Sequence, residues 1–375
     1  MNIAVLVSGG VDSSVVLALL KEAGHEVTAF YLKIWLEDEL AVLGDCPWAE
    51  DLSYIQAVCD MLHVSLEIVP LQREYQERVV AYTLAEIKAG RTPNPDMLCN
   101  VFIKCGAFFE FLDTQCVTYA FDKVATGHYA HIYEKDGSFY LQQTRDLIKD
   151  QTYFLARLTQ EQLRRICFPL GIYTKEEVRV LAQKYNLATQ ARKDSQGLCF
   201  LGKISFRDFI KSHVGVMQGN LIEYETGEII GTHEGFWFYT HGQRQGLGLA
   251  GGPWYVVKKN AHTNSVYISK TYHEPDKQRD SFYVCDLLWV YKPVCGNLYV
   301  KIRHGKQLHK AFLTVHKEDV HGRFGKESLK ICSGEIREHF FVQLAERDQG
   351  IAPGQFAVFY DQDGRCVGSG KICDT

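Results

Sequence analysis

Three stretches of the chain combine residue types and spacings that can do chemistry. The first is Ser8-Gly9-Gly10-Val11-Asp12-Ser13-Ser14, directly after the apolar run Ile3–Val7. Two glycines permit close backbone approach and positive φ. Amides at the start of a following helix can hold an anion, and the hydroxyls of Ser8, Ser13 and Ser14 add donors. No Gly-Lys-Ser/Thr follows, so this is not a Walker A loop. The second stretch, Thr92-Pro93-Asn94-Pro95-Asp96-Met97-Leu98-Cys99-Asn100, sets a carboxylate three residues before a thiol in a proline-stiffened loop. The third, Asp194-Ser195-Gln196-Gly197-Leu198-Cys199-Phe200, puts a second thiol in a glycine-containing loop. The thiolate is the reactive form and a free thiol has a pKa of ~8.5, so a nucleophilic cysteine needs an activating environment or a nearby base. Asp96 is the candidate general acid–base.

The elements that must position these residues can be read from apolar patterning. Ile3–Val7, the helical run Val15–Leu20 stopped near Gly24, and Val27–Ile34 form a β–loop–α–β unit, which predicts a parallel α/β sheet. Strand-like runs over 64–69 and 119–126 alternate with helical patterns around 51–62, 74–89 and 101–112. Thr174-Lys175-Glu176-Glu177 fits a capping box opening a helix that runs to about Tyr185. Glycine becomes frequent between 215 and 252. From 281 onward short runs at 282–285, 298–302, 311–315, 329–332, 339–344 and 356–360 predict a small antiparallel barrel or sandwich. These shifts divide the chain into 1–205, 206–275 and 276–375.

A length of 375 residues fits two or three domains at roughly 150 residues each. Hydrophobic residues at 46% and charged residues at 23% exclude a disordered, collagenous or coiled-coil protein. No apolar run approaches the roughly 20 residues that span a bilayer, and the start Met1-Asn2-Ile3-Ala4 lacks a basic segment, so no membrane partner and a cytoplasmic protein are expected. The net charge of −4 argues against a non-specific nucleic-acid coat but leaves room for a local basic face. Lys301–Lys310 holds four Lys/Arg, two His and no acid, and reads either as a solvated face or as a strand that tracks phosphates. Lys203, Arg207 and Lys211 share one helical face. His241–Gly248 reads either as a hinge or RNA-facing loop or as a turn around a hairpin. None of the 12 cysteines has CxxC spacing, which removes zinc-ribbon and thioredoxin readings; apart from Cys99 and Cys199 they read as small buried apolar residues.

The heptad Ser8–Ser14 resembles the pyrophosphate-binding loop of the N-type ATP pyrophosphatases, a superfamily that includes GMP synthetase, argininosuccinate synthetase, lysidine synthetase and the tRNA thiolases. With Thr92–Asn100, Ala125-Thr126-Gly127-His128-Tyr129, Lys149–Leu155 and Asp194–Phe200, in that order and separation, nearly the whole chain resembles bacterial tRNA-specific 2-thiouridylase. The resemblance implies an α/β, parallel-sheet ATP-pyrophosphatase domain of the adenine nucleotide alpha hydrolase type, a small central domain and a C-terminal antiparallel β-barrel that binds tRNA. It implies that Leu6, Val7, Ser8, Gly9, Gly10, Val11, Asp12 and Ser13 bind ATP with Mg2+, and that Leu32 and Gly127 flank the adenine and ribose. Asn94, Pro95 and Asp96 would meet the target base; Lys149, Asp150, Gln151, Arg303 and His304 would touch tRNA. Cys199 would carry a persulfide sulfur and Cys99 would resolve it, through a transient Cys99–Cys199 disulfide. The implied substrate is the wobble uridine of tRNAs for lysine, glutamate and glutamine, with sulfur from a cysteine desulfurase or relay protein. Two positions depart from the family pattern: Leu32 stands where Met is usual, and Arg303-His304 where Arg-Tyr is usual.

The chemistry is coherent in its own right. A urea-like carbonyl is a poor electrophile, adenylation turns its oxygen into a leaving group, and a persulfide then supplies a cleavable sulfur nucleophile. Two other readings stay open: a carbonyl-adenylating relative that installs nitrogen and needs no reactive cysteine pair, and a non-catalytic tRNA-binding or sulfur-relay protein.

Overall fold

The structure is a computed structural model and describes residues 1–34, 48–115, 120–193, 205–272, 274, 279–290, 296–316 and 339–373. Five parallel strands form the first sheet: β1 (Asn2–Val7), β2 (Glu26–Lys33), β3 (Ser65–Pro70), β4 (Lys123–Ala125) and β7 (Ile166–Cys167), in the order β3-β2-β1-β4-β7. β1 is central and apolar on both faces, as a covered parallel strand must be. Ile3, Val5 and Val7 pack under the helices Val11–Glu22, Trp48–Leu62 and Lys175–Lys184. Ala4 and Leu6 face the opposite core, where Phe30 meets Phe108 edge-on at 5.2 Å. That core is roofed by a helical run over Gln72–Tyr75, Gln76–Val80 and Ala81–Lys88, and by a second over Pro95–Leu98, Cys99–Ala107 and Phe108–Thr114. The strands after β1 fill one side of it and then the other. The sheet therefore reverses its winding at the carboxyl ends of β1 and β4, where open α/β sheets form their ligand crevice.

The helix Lys175–Lys184 opens with the expected capping box: Thr174 accepts from the Glu177 amide while the Glu177 side chain accepts from the Thr174 amide. Among the described residues, the strand expected at 119–126 is confined to Lys123–Ala125.

A second sheet, β10 (Tyr255–Asn260), β11 (Ser265–Ser269), β8 (Gly219–Glu223) and β9 (Ile229–His233), follows the helix Phe206–Val214. The last strands, β12 (Arg279–Trp289), β13 (Gly296–Lys301), β14 (His309–His316), β15 (His339–Asp348), β16 (Phe356–Tyr360) and β17 (Arg365–Ile372), run β12-β15-β14-β13-β16-β17. Pairing of β12 with β17 closes them into a six-stranded antiparallel barrel, as the strand-like runs predict. The expected strand at 329–332 lies outside the described residues.

Apolar patterning did not mark one hairpin, β5 (His131–Lys135) with β6 (Ser138–Gln142). Turned by Asp136-Gly137 with φ of 52° and 73°, it leaves the first sheet and extends the barrel by pairing with β17. The first 205 residues and the barrel therefore share a sheet. Their seam is further closed by Tyr153 Oη donating to the Phe356 carbonyl at 3.0 Å, Ser369 Oγ donating to the Ala156 carbonyl at 2.9 Å, and a Lys371–Glu86 ion pair at 2.7 Å.

Candidate active site

The phosphate-type loop sits at the carboxyl end of β1. Gly9 has φ +72°, a conformation that favours glycine, and the helix Val11–Glu22 begins directly after Gly10. The loop is braced from within: the Ser8 amide donates to Ser13 Oγ at 3.3 Å, and Ser14 Oγ donates to the Gly10 carbonyl at 2.9 Å. Leu6, Val7 and Val11 are buried beneath it, and Ser8 is exposed. Gly127, at the end of neighbouring β4, packs against the same helix start. A Cβ there would stand 2.9 Å from the Ser13 nitrogen, so only glycine allows this approach. Leu32 lies half-buried on β2, in register with Val69.

Charge around the loop comes from residues that sequence reading does not assign to it. Asp12 Oδ1 accepts from Lys175 Nζ at 2.7 Å and from Tyr129 Oη at 2.9 Å. Arg192 Nη1 donates to the Gly9 carbonyl at 2.7 Å and to Asp51 Oδ1 at 2.8 Å, with its guanidinium 4.4 Å from the Tyr54 ring centre. Burial pushes the Asp51 carboxyl up and the Arg192 contact opposes it. Lys175 carries a local signal only as part of a capping box, and Arg192 carries none.

The second half of the site is the helical run from Pro95. Asn94 caps it, accepting from the Met97 amide at 3.1 Å, with Pro95 at the first helical position where a missing N–H costs nothing. From Cys99 to Ala107 the helix widens to i→i+5 pairing, a form enriched at functional sites. Asp96 is half-buried and Cys99 is buried one turn on. Burial raises the Asp96 carboxyl pKa, and the Lys104 ammonium pulls it down. Lys104 Nζ donates to Asn100 Oδ1 at 2.9 Å and stands 3.4 Å from His128 Nε2. His128 is held well below its usual pKa by burial first and Lys104 second. Its Nδ1 lies 2.7 Å from Thr126 Oγ1. With Lys104 donating to Nε2, the neutral ring carries its proton on Nδ1. Three consecutive residues, Thr126 to His128, thus touch the phosphate-type loop through Gly127 and the Cys99 helix through His128. Cys199 lies outside the described residues. Burial pushes the thiols of Cys59 and Cys167 up to about 11 and those of Cys105 and Cys366 up to about 12, consistent with inert packing residues.

The residues expected to touch RNA separate into two groups. Asn100 Nδ2 donates to the Phe154 carbonyl at 3.1 Å, and the Phe154 ring lies 4.6 Å from that of His304, which brings His304 to the Cys99 side. Lys149 is half-buried, and the Gln151 side chain accepts from the Tyr129 amide at 2.9 Å. Asp150 departs from the expectation. Its carboxylate is fully buried and receives Lys301 Nζ at 2.7 Å and Thr152 Oγ1 at 2.9 Å. A buried carboxylate must be paired, and this one is committed to the barrel rather than to a ligand. The basic run is correspondingly smaller than its composition. Lys301 is inside, Arg303 chelates both oxygens of Asp348 at 3.1 Å, and His309 stands 3.3 Å from the same carboxylate. Lys306 and Lys310 are exposed. Arg207 and Lys211 both pair with Glu234, and Lys203 lies outside the described residues. His241–Gly248 forms a turn pinned to β10, with the Gly242 amide donating to the Val256 carbonyl at 2.8 Å.

The barrel also reaches the site. Gln355 Nε2 donates to the carbonyls of Thr92 and Pro93, both at 3.0 Å, and the Thr92 amide donates to the Pro353 carbonyl at 2.8 Å. The loop that carries Asn94, Pro95 and Asp96 is therefore gripped by the C-terminal domain.

Three family models match the chain in succession: a tRNA methyl transferase HUP domain over residues 1–203, a tRNA methyl transferase PRC-barrel domain over 207–270, and an aminomethyltransferase beta-barrel domain over 319–372. A protein of Parabacteroides distasonis named tRNA-specific 2-thiouridylase MnmA is 42% identical over 387 aligned positions, covering 100% of this chain and 99% of the relative. The chain belongs to the tRNA-specific 2-thiouridylase family. Another 2-thiouridylase relative, from Bacteroides thetaiotaomicron, is 43% identical over 99% of both chains, and one from Porphyromonas gingivalis is 41% identical over 99% of both. Among solved structures, NMN synthetase from Francisella tularensis covers 57% of this chain and 77% of its own, with a TM-score of 0.33 and 16% identity. No described helix of this 2-thiouridylase family member is long and apolar enough to cross a membrane.

Proposed function

We propose that this protein is a tRNA-uridine 2-sulfurtransferase that uses ATP to thiolate carbon 2 of the wobble uridine. The observation that carries the reading is the bridge Thr126–His128, which abuts the anion-binding loop at Ser13 on one side and the Asp96–Cys99 helix at Lys104 on the other. Nucleotide and nucleophile are thereby served by one crevice at the sheet's winding reversal. The amides at the start of the helix Val11–Glu22, with Lys175 and Arg192 beside them, suit a triphosphate. Asp12 would face the Mg2+ that accompanies it, exchanging its Lys175 contact.

The uridine carbonyl oxygen attacks the α-phosphorus of ATP and pyrophosphate leaves, while Asp96 takes the N3 proton. The terminal sulfur of a Cys199 persulfide attacks carbon 2, and AMP departs with the original oxygen. The Cys99 thiolate attacks the Cys199 sulfur, forming the disulfide and releasing the sulfur on the base, which regains its N3 proton. A small-molecule or protein dithiol then reduces the disulfide. The sulfur reaches Cys199 from a cysteine desulfurase or relay protein, and the substrates are tRNAs for lysine, glutamate and glutamine. The three units 1–205, 206–275 and 276–375 divide the work: the first does the chemistry, while the barrel holds tRNA through His304 and Arg303 and braces the Thr92–Pro95 loop.

The test is thiolation of unmodified tRNA by the purified protein with ATP, cysteine and a desulfurase, read by mass spectrometry of the nucleosides. 2-Thiouridine should require ATP, and both Cys99→Ser and Cys199→Ser should remove it while tRNA binding persists. Near wild-type product from either variant would refute the two-cysteine route.

A further inference from the structure

Two cysteines that the thiolation steps do not use meet where the barrel closes. Cys285 lies on β12 opposite Lys371 of β17, with Val284 opposite Ile372, and the Cys373 amide donates to the Tyr283 carbonyl at 3.0 Å. Cys285 and Cys373 are therefore diagonal neighbours on one face of the β12–β17 ladder. Their sulfurs lie 3.6 and 3.8 Å from one shared acceptor, the Lys371 carbonyl, and the two thiols are hydrogen-bonded to each other. The ladder loses register directly after Cys285, where Asp286 takes φ 51°, and such a bulge re-aims the side chains beside it. Both cysteines are half-exposed, whereas Cys366, also on β17, is fully buried. Electrostatics set Cys285 apart as well. The contact with Cys373 lowers its pKa, since a neighbouring S–H can donate to the thiolate; burial opposes this and the Lys371 ammonium reinforces it. Burial pushes Cys59, Cys105, Cys167 and Cys366 the other way.

We propose that Cys285 and Cys373 form a redox-modifiable dithiol, oxidised by a peroxide to a disulfide that joins β12 to the residue following β17. The Cys285 thiolate attacks one peroxide oxygen and the O–O bond breaks. The leaving hydroxide takes up the proton that the thiol released and departs as water, and Cys285 becomes a sulfenic acid. The Cys373 sulfur then attacks the Cys285 sulfur, the S–O bond breaks, and hydroxide leaves as water with the Cys373 proton. Two thiols lose two electrons and two protons, and one peroxide becomes two waters. A dithiol reductant reverses the change, as suits a pair in a reducing compartment. The residues beside the new bond carry the seam between domains: Lys371 pairs with Glu86 at 2.7 Å, and the Ile372 amide donates to the Gln355 carbonyl at 2.8 Å. Oxidation therefore staples the barrel at the strand that meets the first domain. The pair takes no part in sulfur transfer to the base and does not depend on the sulfurtransferase reading.

The experiment treats the full chain, reduced and then freed of reductant, with stoichiometric hydrogen peroxide. The reaction is quenched in acid, remaining thiols are alkylated, and disulfides are mapped by mass spectrometry of unreduced digests. The expected product is a linked peptide pair containing Cys285 and Cys373, formed at least about 10-fold faster than Cys59 or Cys105 is oxidised, and lost again on treatment with dithiothreitol. A Cys99–Cys199 link gives a different peptide pair and is scored apart. Cys373→Ser should abolish the link and leave Cys285 as a sulfenic acid that dimedone captures. The wild-type digest decides the question without any variant. Wild-type protein in which Cys285 and Cys373 both stay open to alkylation, pair with other cysteines, or oxidise no faster than Cys59 overturns the inference and makes the two thiols packing groups.

Discussion

Two lysine–aspartate pairs in this molecule have the same 2.7 Å separation and different meanings. Lys175–Asp12 lies at the Ser8–Ser14 loop with side chains 10% and 31% exposed. Lys301–Asp150 lies at the seam between the first sheet and the barrel with side chains 1% and 0% exposed. Both join distant parts of the chain. Only the first can exchange partners at modest cost, because a phosphate can take the place of Asp12 beside Lys175, and water or a cation that of Lys175 beside Asp12. The second is sealed, and its charges have nowhere else to go. Solvent access, rather than contact geometry, separates an ion pair that can exchange partners from a sealed one.

The largest effect should come from breaking the sealed pair. Asp150→Ala strands the Lys301 ammonium and should cost about 3–5 kcal/mol of stability in denaturant unfolding. The double variant Asp150→Leu with Lys301→Met should recover most of it. A loss below about 1 kcal/mol in the single variant would mean the seam is wetter than its burial indicates. Next comes the open pair. Asp12→Ala should leave unfolding within about 1–2 kcal/mol of wild type yet reduce pyrophosphate release by about 10²–10³-fold, the scale of removing one electrostatic contact at a reacting phosphate. If stability falls and pyrophosphate release does not, the two pairs do not differ in role.

A third carboxylate sharpens the contrast through pH. Burial pushes Asp348 up, but hydrogen bonds from His309 and the Gly350 amide and the charge of Arg303 outweigh it, lowering the carboxyl from 3.8 to about 2. A depressed carboxyl contributes stability above its unfolded pKa that is lost as pH falls through the folded one. About 2 kcal/mol should therefore disappear between roughly pH 4 and pH 2, and Asp348→Asn should flatten that part of the acid-unfolding curve. The smallest effect concerns the exposed remainder of the basic run. Lys306→Ala with Lys310→Ala should weaken tRNA binding and lower its log-affinity versus log-salt slope by about one unit for each phosphate no longer neutralised. An unchanged slope in a salt titration would remove this run from the RNA surface.

What could be read from the sequence follows the range of the physical signal. The Ser8–Ser14 loop and the Thr174 cap are local events between an apolar strand and a periodic helix, and both stand where the residues put them. The barrel strands announced themselves as short strand-like runs at close spacing. Lys104 was within reach, four residues after Asn100, but polar i,i+4 pairs are common and carry no mark of burial. The Asp150–Lys301 pair spans 151 residues and left no local trace, so Asp150 read as a surface residue and Lys301 as part of a basic stripe. Arg192 reaches Gly9 across 183 residues and was invisible for the same reason. The Asp136-Gly137 turn does signal a hairpin, yet nothing near it says that its partner is β17.

That hairpin imposes an order on biosynthesis. Gln142 Nε2 donates to the carbonyl of Asp363, 221 residues further on. At about 5–20 residues per second, a ribosome needs roughly 10–45 s to deliver the partner strand after β6 has emerged. Throughout that interval β6 presents an unpaired edge, the kind of surface that invites pairing with another nascent chain. Its neighbours Lys135, Arg145 and Lys149 keep charge around the waiting edge. A gene truncated near residue 205 would make the interval permanent, so the first domain should express soluble only when the barrel is supplied in the same polypeptide or as a separate chain.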